Sequence, residues 1–99
     1  MEYQDLLFGF IRLHVLYHAA EGDLHGLWMI EELAHHGYKV SAGTLYPMLH
    51  SMEKKGYLVS RKERVGRTHR RIYNATPYGI EALHLAKEKA RELFREVVS

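Results

Sequence analysis

The chain has 99 residues, 46% of them hydrophobic and 26% charged, with no cysteine and a formal net charge of +2. That length suits one small domain with a single core, lean in stability unless an interface adds to it. The missing cysteines exclude a disulfide framework, a thiolate metal site and a cysteine nucleophile. No apolar run approaches the length of a bilayer span and the Met1-Glu2-Tyr3-Gln4-Asp5 start lacks a basic signal-peptide head, so a cytoplasmic protein without a membrane partner is expected.

Residues 3 to 20 place apolar side chains nearly all round a helical wheel, with Gly9 the only poor helix former. A helix of that kind has to be covered on two sides. Glu21-Gly22-Asp23 interrupts the pattern, with Gly22 as the stop and Asp23 as a cap for the next helix. That second helix is expected over about residues 24 to 36, with Leu27, Ile30, Leu33 and Ala34 inward, Glu31 and Glu32 outward, and Gly37 as its end.

The third helix carries Leu45, Leu49 and Met52 as one apolar stripe. Met48 and Met52 are read as packing. A Ser41 cap would put Pro47 six places in, where its missing N–H interrupts the ladder; a Thr44 cap would put it in the first turn. Both boundaries stay open, and an irregular first turn is expected. Gly56 supplies a left-handed stop. Two antiparallel strands follow over residues 58 to 62 and 70 to 75, joined by a tight loop over Val65, Gly66 and Arg67. Tyr57 and Tyr73 read as core residues with their hydroxyls at the surface.

Thr76 caps the last helix and Pro77 opens it. It is expected over residues 77 to 98, about 33 Å long at roughly 1.5 Å per residue. Leu83, Ala86, Ala90, Leu93 and Val97 recur along it as a seam. The apolar first helix and the long last one both need a second partner, so a homodimer is expected; the alternative is a seam packed only on the chain's own first helix.

Charge is concentrated in one place. From residue 54 to 71 there are eight bases and one acid, whereas residues 1 to 53 hold two bases against seven acids and residues 72 to 99 hold four of each. A concentrated positive region points to a polyanion. The order of three helices, a two-stranded basic hairpin and a trailing helix is that of a winged helix-turn-helix, a mainly α fold with a small β-hairpin. In it the third helix enters the DNA major groove and the hairpin reaches to phosphates or the minor groove. Thr44, Tyr46 and His50 offer base contacts from the front of the helix, and Ser51 and Lys54 reach the backbone. Alternate strand residues face opposite ways, so the hairpin bases cannot all face DNA. Arg67 and His69 are expected at the tip, with Arg64 or Arg70 in support. A solvated basic face that binds nothing is the bland alternative.

The run Ser41-Ala42-Gly43-Thr44-Leu45-Tyr46-Pro47, then Leu49 with Met52-Glu53-Lys54-Lys55-Gly56-Tyr57-Leu58, Gly66-Arg67, Arg70-Arg71-Ile72-Tyr73 and Thr76-Pro77-Tyr78-Gly79, resembles the PadR-like transcriptional regulators. The resemblance spans about residues 6 to 85. It implies a homodimer on a palindromic operator in double-stranded DNA, usually a repressor released by a small molecule. By the same resemblance Ser41, Gly43, Thr44 and Tyr46 contact the operator, and Arg67 with Arg70 belongs to the wing. A single trailing helix looks like the compact branch, in which the first and last helices make the dimer. Residues 1 to 75 then form the DNA-binding part and residues 76 to 99 the dimerisation helix, in one structural unit. Relatives often carry Tyr after the glycine matched by Gly26; here Leu27-Trp28 follows.

Other chemistry is sparse. His14 and His18 lie one helical turn apart, and His25 or His84 could complete a metal site across a dimer; surface or half-buried histidines are the alternative, and no metal is assigned. His35 and His36 suit the dipole at a helix end. Trp28 is either core or one wall of a flat cavity between protomers for a small aromatic effector, with Phe8, Ile11 and Leu93 beside it. There is no phosphate loop, no serine with a base and no paired carboxylates, so neither an enzyme nor a cofactor is expected. The competing readings are a winged-helix module that docks an acidic protein, and a metal-responsive regulator that uses its histidines.

Overall fold

A computed structural model describes residues 4 to 98; Tyr3, assigned to the first helix from its sequence, lies outside the described residues. The elements are α1 (Gln4–Glu21), β1 (Leu24–His25), α2 (Gly26–His35), α3 (Ala42–Lys54), β2 (Leu58–Val65), β3 (Thr68–Ala75) and α4 (Pro77–Val97). The strands form one antiparallel sheet in the order β1-β3-β2. This is the winged helix-turn-helix, with one strand more than the hairpin read from the sequence. Among the described residues no helix is long and apolar enough to cross a membrane.

The core gathers Ile11 and Val15 of α1, Leu33 of α2, Leu45 and Leu49 of α3, and Tyr73 of β3. As expected, α1 is apolar on more than the side it buries, because Leu6, Phe10 and Tyr17 remain exposed.

Several local expectations need correction. Asp23 does not cap α2: the N-cap is His25, without a side-chain cap bond, and residues 24 and 25 pair with β3 through Leu24 opposite Tyr73 and His25 opposite Ile72. On α2, Leu33 is buried and Ile30 packs against the core as expected, but Leu27 is 71% exposed and Ala34 is also exposed, and Gly26 and Met29 are buried in their place. Tyr73 is buried to 1%, deeper than a core tyrosine with its hydroxyl at the surface.

The N-cap of α3 is Ser41, so Pro47 does lie inside the helix. The Gly43 carbonyl, which a residue with an N–H at position 47 would engage, loses that partner. The first turn tightens as expected: the Ser41 carbonyl accepts from both Thr44 N at 3.1 Å and Leu45 N at 2.9 Å. Gly56 stops the helix at a φ of 90°.

The wing strands are longer than expected, because only Gly66 and Arg67 lie between Val65 and its partner Thr68. Gly66 has a φ of 62° and no other residue type has positive φ among the described residues, the pattern of a two-residue hairpin turn with glycine first. Thr76 caps α4, its Oγ1 accepting from Gly79 N at 2.9 Å and donating to the Gly56 carbonyl at 2.5 Å. Tyr57 and Tyr78 stack across this junction with ring centroids 5.3 Å apart.

Candidate nucleic-acid interface

Burying Leu45, Met48, Leu49 and Met52 leaves the opposite side of α3 in solvent. Gly43, Tyr46, Pro47, His50, Ser51 and Lys54 occupy that side, at the spacings that keep residues on one helical face. Thr44 is half-buried beside Ser41, whose hydroxyl donates to Thr44 Oγ1 at 3.3 Å. The α3 residues singled out from the sequence therefore share one surface, with Thr44 at its edge.

Strand register sorts the wing charges. Residues paired across β2 and β3 share a face, so Ser60 with Tyr73, Lys62 with Arg71 and Arg64 with His69 lie on one side, while Arg61 with Ile72 and Glu63 with Arg70 lie on the other. The first side is the α3 side. Ser60 donates from its backbone N to Glu53 Oε2 at 3.0 Å and from its hydroxyl to the same oxygen at 2.7 Å. Arg71 Nη1 then donates to Ser60 Oγ at 3.0 Å. The chain Glu53, Ser60, Arg71 fixes the wing against the C-terminal end of α3.

Of the hairpin residues singled out, Arg64 and His69 lie on this side and Arg67 sits in the turn. Arg70 lies on the far side, where its Nη2 meets Glu63 Oε1 at 2.9 Å. Lys62 and Arg71 belong with Arg64 and were not singled out. Strand alternation puts Lys62, two residues before Arg64, on the same face, and the two-residue turn at Gly66 then pairs it with Arg71. Arg61 serves the base of the wing instead: it bonds Asp23 Oδ2 at 2.9 Å and Asn74 Oδ1 at 2.8 Å. The Asn74 amide and the Arg61 guanidinium, in that order, hold the Asp23 pKa below its ordinary 3.8.

The ligand and dimer candidates sort differently. Ile11 is wholly buried, whereas Trp28 is 47% exposed and meets the edge of His18 at 5.0 Å between ring centroids. Phe8, Ile11, Trp28 and Leu93 are not gathered in one cavity of the single chain. A groove of about 580 Å³ lies instead between α1, α2 and α4, lined by Phe10, Tyr17, Tyr38 and Leu83 and by His14, His18, Glu32 and His36. Along the α4 seam Leu83 is buried in the chain's own core and Ala86 is half-buried, while Ala90, Leu93 and Val97 are exposed.

The histidines that assemble are not the set read from the sequence. His14 and His18 meet Glu32 and His36; His84 is on the exposed side of α4, and His25 lines a separate cleft with His18 and Trp28. Burial, and then the neighbouring His36 and His18, lower the His14 pKa below its ordinary 6.5. The bond from His36 leads the causes that lower Glu32 below 4.5.

A family model described as the transcriptional regulator PadR-like family matches residues 15 to 85. The chain is 50% identical over 88 residues to Transcriptional regulator Rv3488 of Mycobacterium tuberculosis, covering 89% of this chain and 82% of that protein. Among solved structures, a PadR family transcriptional regulator from Eggerthella lenta superposes with a TM-score of 0.84 at 28% identity, covering 97% of this chain and 85% of the other. A PadR-like transcriptional regulator from Bacillus cereus gives 0.83 at 25% identity, covering 94% and 92%. An exposed third helix joined to a basic wing, on a chain with these relatives, means that the protein belongs to the PadR-like family of transcriptional regulators, which are DNA-binding proteins and not enzymes.

Proposed function

We propose that the protein is a homodimeric repressor that reads a two-fold-symmetric operator. The exposed side of α3 (Ser41, Gly43, Thr44, Tyr46, His50, Lys54) lies in the major groove, and Lys62, Arg64, Arg67 and His69 of the wing lie on the flanking backbone. Arg70, held by Glu63 on the other face, supports the wing without entering the groove. The observation that carries this reading is the bonded link from Glu53 to Ser60 to Arg71, which makes recognition helix and wing one unit.

The dimer reading is supported by apolar side chains left uncovered on the two terminal helices. Leu6 and Phe10 of α1 and Leu93, Phe94 and Val97 of α4 are all exposed, a cost that a second copy removes. Residues 1 to 75 read DNA, residues 76 to 99 hold the protomers together, and the protein acts in the cytoplasm. A small aromatic molecule releases the operator; the aromatic walls Phe10, Tyr17 and Tyr38 of the groove support that class of effector.

The test is selection of bound fragments from source genomic DNA, followed by binding of the recovered site over a range of salt. A palindrome with half-sites about 34 Å apart, one helical turn, and a steep loss of affinity with salt are expected. A monomer that shows no preference among DNA sequences would sink the reading and favour a module that docks an acidic protein.

A further inference from the structure

Two pairs of side chains, each spaced one helical turn apart, face each other where α1 meets the end of α2. His14 and His18 come from α1, Glu32 from α2 and His36 from its C-cap. Their meeting point is Glu32 Oε2, which lies 3.2 Å from His18 Nε2 and 3.0 Å from His36 Nε2. The His14 ring stacks on His36 with centroids 4.6 Å apart and meets the edge of Tyr38 at 5.5 Å. One carboxylate thus sits between the imidazoles of His18 and His36, with the exposed His35 Nδ1 4.0 Å from its other oxygen and His14 stacked behind His36, and among the described residues no lysine or arginine forms a salt bridge with it.

Imidazole and carboxylate donors in a set of four suit divalent ions of intermediate hardness, Zn²⁺ and Co²⁺ among them. Donors at i and i+4 on a helix lie on one face, so each helix contributes a ready pair. The apolar walls of the groove, Leu13 and Tyr38 among them, would strengthen the electrostatics of a bound ion.

We propose that His14, His18, Glu32 and His36 form a binding site for a divalent transition metal ion, with Zn²⁺ the ion the donor set fits, and that this ion clamps α1 to the end of α2. As they stand, the side chains are arranged for hydrogen bonding, and no ready-made metal-holding group of three or more such residues is present among the described residues. The ion therefore binds by taking the place of the hydrogen bonds between Glu32 and the two imidazoles, each neutral ring turning an unprotonated Nε2 to the metal and keeping its one proton on Nδ1. His36 has the room to turn, being 46% exposed and beyond the last residue of α2. None of the four belongs to the α3 and wing surface. If the protein is the operator-binding regulator proposed above, the clamp sets how α2, the helix preceding α3, sits on α1, whose exposed Leu6 and Phe10 belong to the proposed dimer face.

The test uses the full chain, dialysed against a chelator and titrated with Co²⁺ and then Zn²⁺ in the absence of DNA. Expected are one ion per chain, the intense visible absorption of four-coordinate Co²⁺, and its loss as Zn²⁺ displaces it. Glu32→Gln and His36→Ala should each weaken binding by more than about a hundredfold, beyond the ten- to hundredfold typical of an outer-shell partner. Circular dichroism checks that each variant folds, and His18→Gln replaces any that does not. No saturable binding, a weak six-coordinate Co²⁺ spectrum, or equal affinity in the folded variants each overturns the site. Operator binding is measured separately in chelator: DNA binding without metal binding rejects this site alone, and metal binding without DNA binding rejects the regulator reading alone.

Discussion

Tyr46 occupies the space that a side chain at position 26 would need: a Cβ added to Gly26 falls 2.6 Å from both the ring edge and the hydroxyl. The start of α2 is thereby pressed against the exposed side of α3, and the glycine sets where the Tyr46 ring lies. The atoms in the way are the far end of a partly exposed side chain, so the ring can swing aside. Gly26→Ala should therefore cost only about 1 kcal/mol, at the low end for overpacking, yet weaken operator binding about tenfold, the equivalent of roughly 1.4 kcal/mol. Thermal melts and operator titrations of Gly26→Ala, Tyr46→Ala and the double variant check this. The two substitutions should be less than additive in DNA affinity, because both remove the same placed ring.

Gly79 makes the opposite prediction, although it too is buried against a tyrosine. An added Cβ there falls on the backbone carbonyl of Tyr57, which no rotamer change can move. Gly79→Ala should destabilise the fold by about 2–3 kcal/mol, as overpacking against a fixed neighbour does. Thr76→Ala, which removes the cap bond to Gly79 N and the hydroxyl bond to the Gly56 carbonyl, should cost about 1–2 kcal/mol. Urea melts of the two variants measure both, and a Gly79→Ala variant as stable as the parent would refute the close approach of α4 to this carbonyl.

Much of the fold is legible in the residues alone. The stripe Leu45, Leu49 and Met52, the stop at Gly56 and the pair Thr76-Pro77 are local signals whose cause lies within a few residues. What escaped depends on partners distant in sequence. Strand β1 is two residues long and has no periodicity of its own; it is a strand only because Tyr73 and Ile72 lie beside it. In α2, Ile30 and Leu33 pack against the core as the spacing suggests, but Leu27 and Ala34 are exposed, and Gly26 and Met29 take the buried positions beside Leu33. That rotation of the helix puts Gly26 against the Tyr46 ring, a contact no local pattern announces. The split of the wing charges was latent in the alternation of strand residues, but it needed the register that the turn at Gly66 fixes.

That split predicts which arginines DNA affinity depends on. Lys62→Ala, Arg64→Ala or Arg67→Ala should each reduce the slope of log affinity against log salt by about 0.9 for every phosphate left without its cation, or about 1.8 per symmetric dimer. Arg70→Ala, already neutralised by Glu63 on the opposite face, should leave the slope near that of the parent. Titrations at four or more salt concentrations distinguish the two groups, and equal slopes for Arg64→Ala and Arg70→Ala would refute the sidedness of the wing.

Asp23 gives the pH prediction. Its carboxylate accepts from Asn74 and Arg61, and its pKa in the folded protein lies below the ordinary 3.8. A depressed carboxylate contributes stability that is complete above the unfolded pKa and is lost as pH falls through the folded one. Parent and Asp23→Asn should therefore differ in melting temperature above about pH 4 and converge below it, since the unperturbed carboxylate pKa is about 3.9. Melting curves from pH 6 to pH 2 test this, and a constant gap across that range would refute an electrostatic role for the cluster.

The exposed apolar positions on α4 carry the last prediction. Leu93 is 46% exposed and Val97 69%, one helical turn apart on the seam whose earlier member Leu83 is already buried within the chain. Lysine at both positions keeps helix propensity and leaves the single-chain core untouched, so the circular dichroism spectrum should not change. It places charge where a partner helix would have to bury it, so the double variant Leu93→Lys/Val97→Lys should sediment as a monomer. The parent's melting temperature should fall on dilution, as mass action requires of a dimer, and the variant's should not. Operator affinity should drop toward the nonspecific level, on the order of a thousandfold, because one protomer holds only one half-site. A parent that already sediments as a monomer, or a variant that remains dimeric, would place the interface elsewhere.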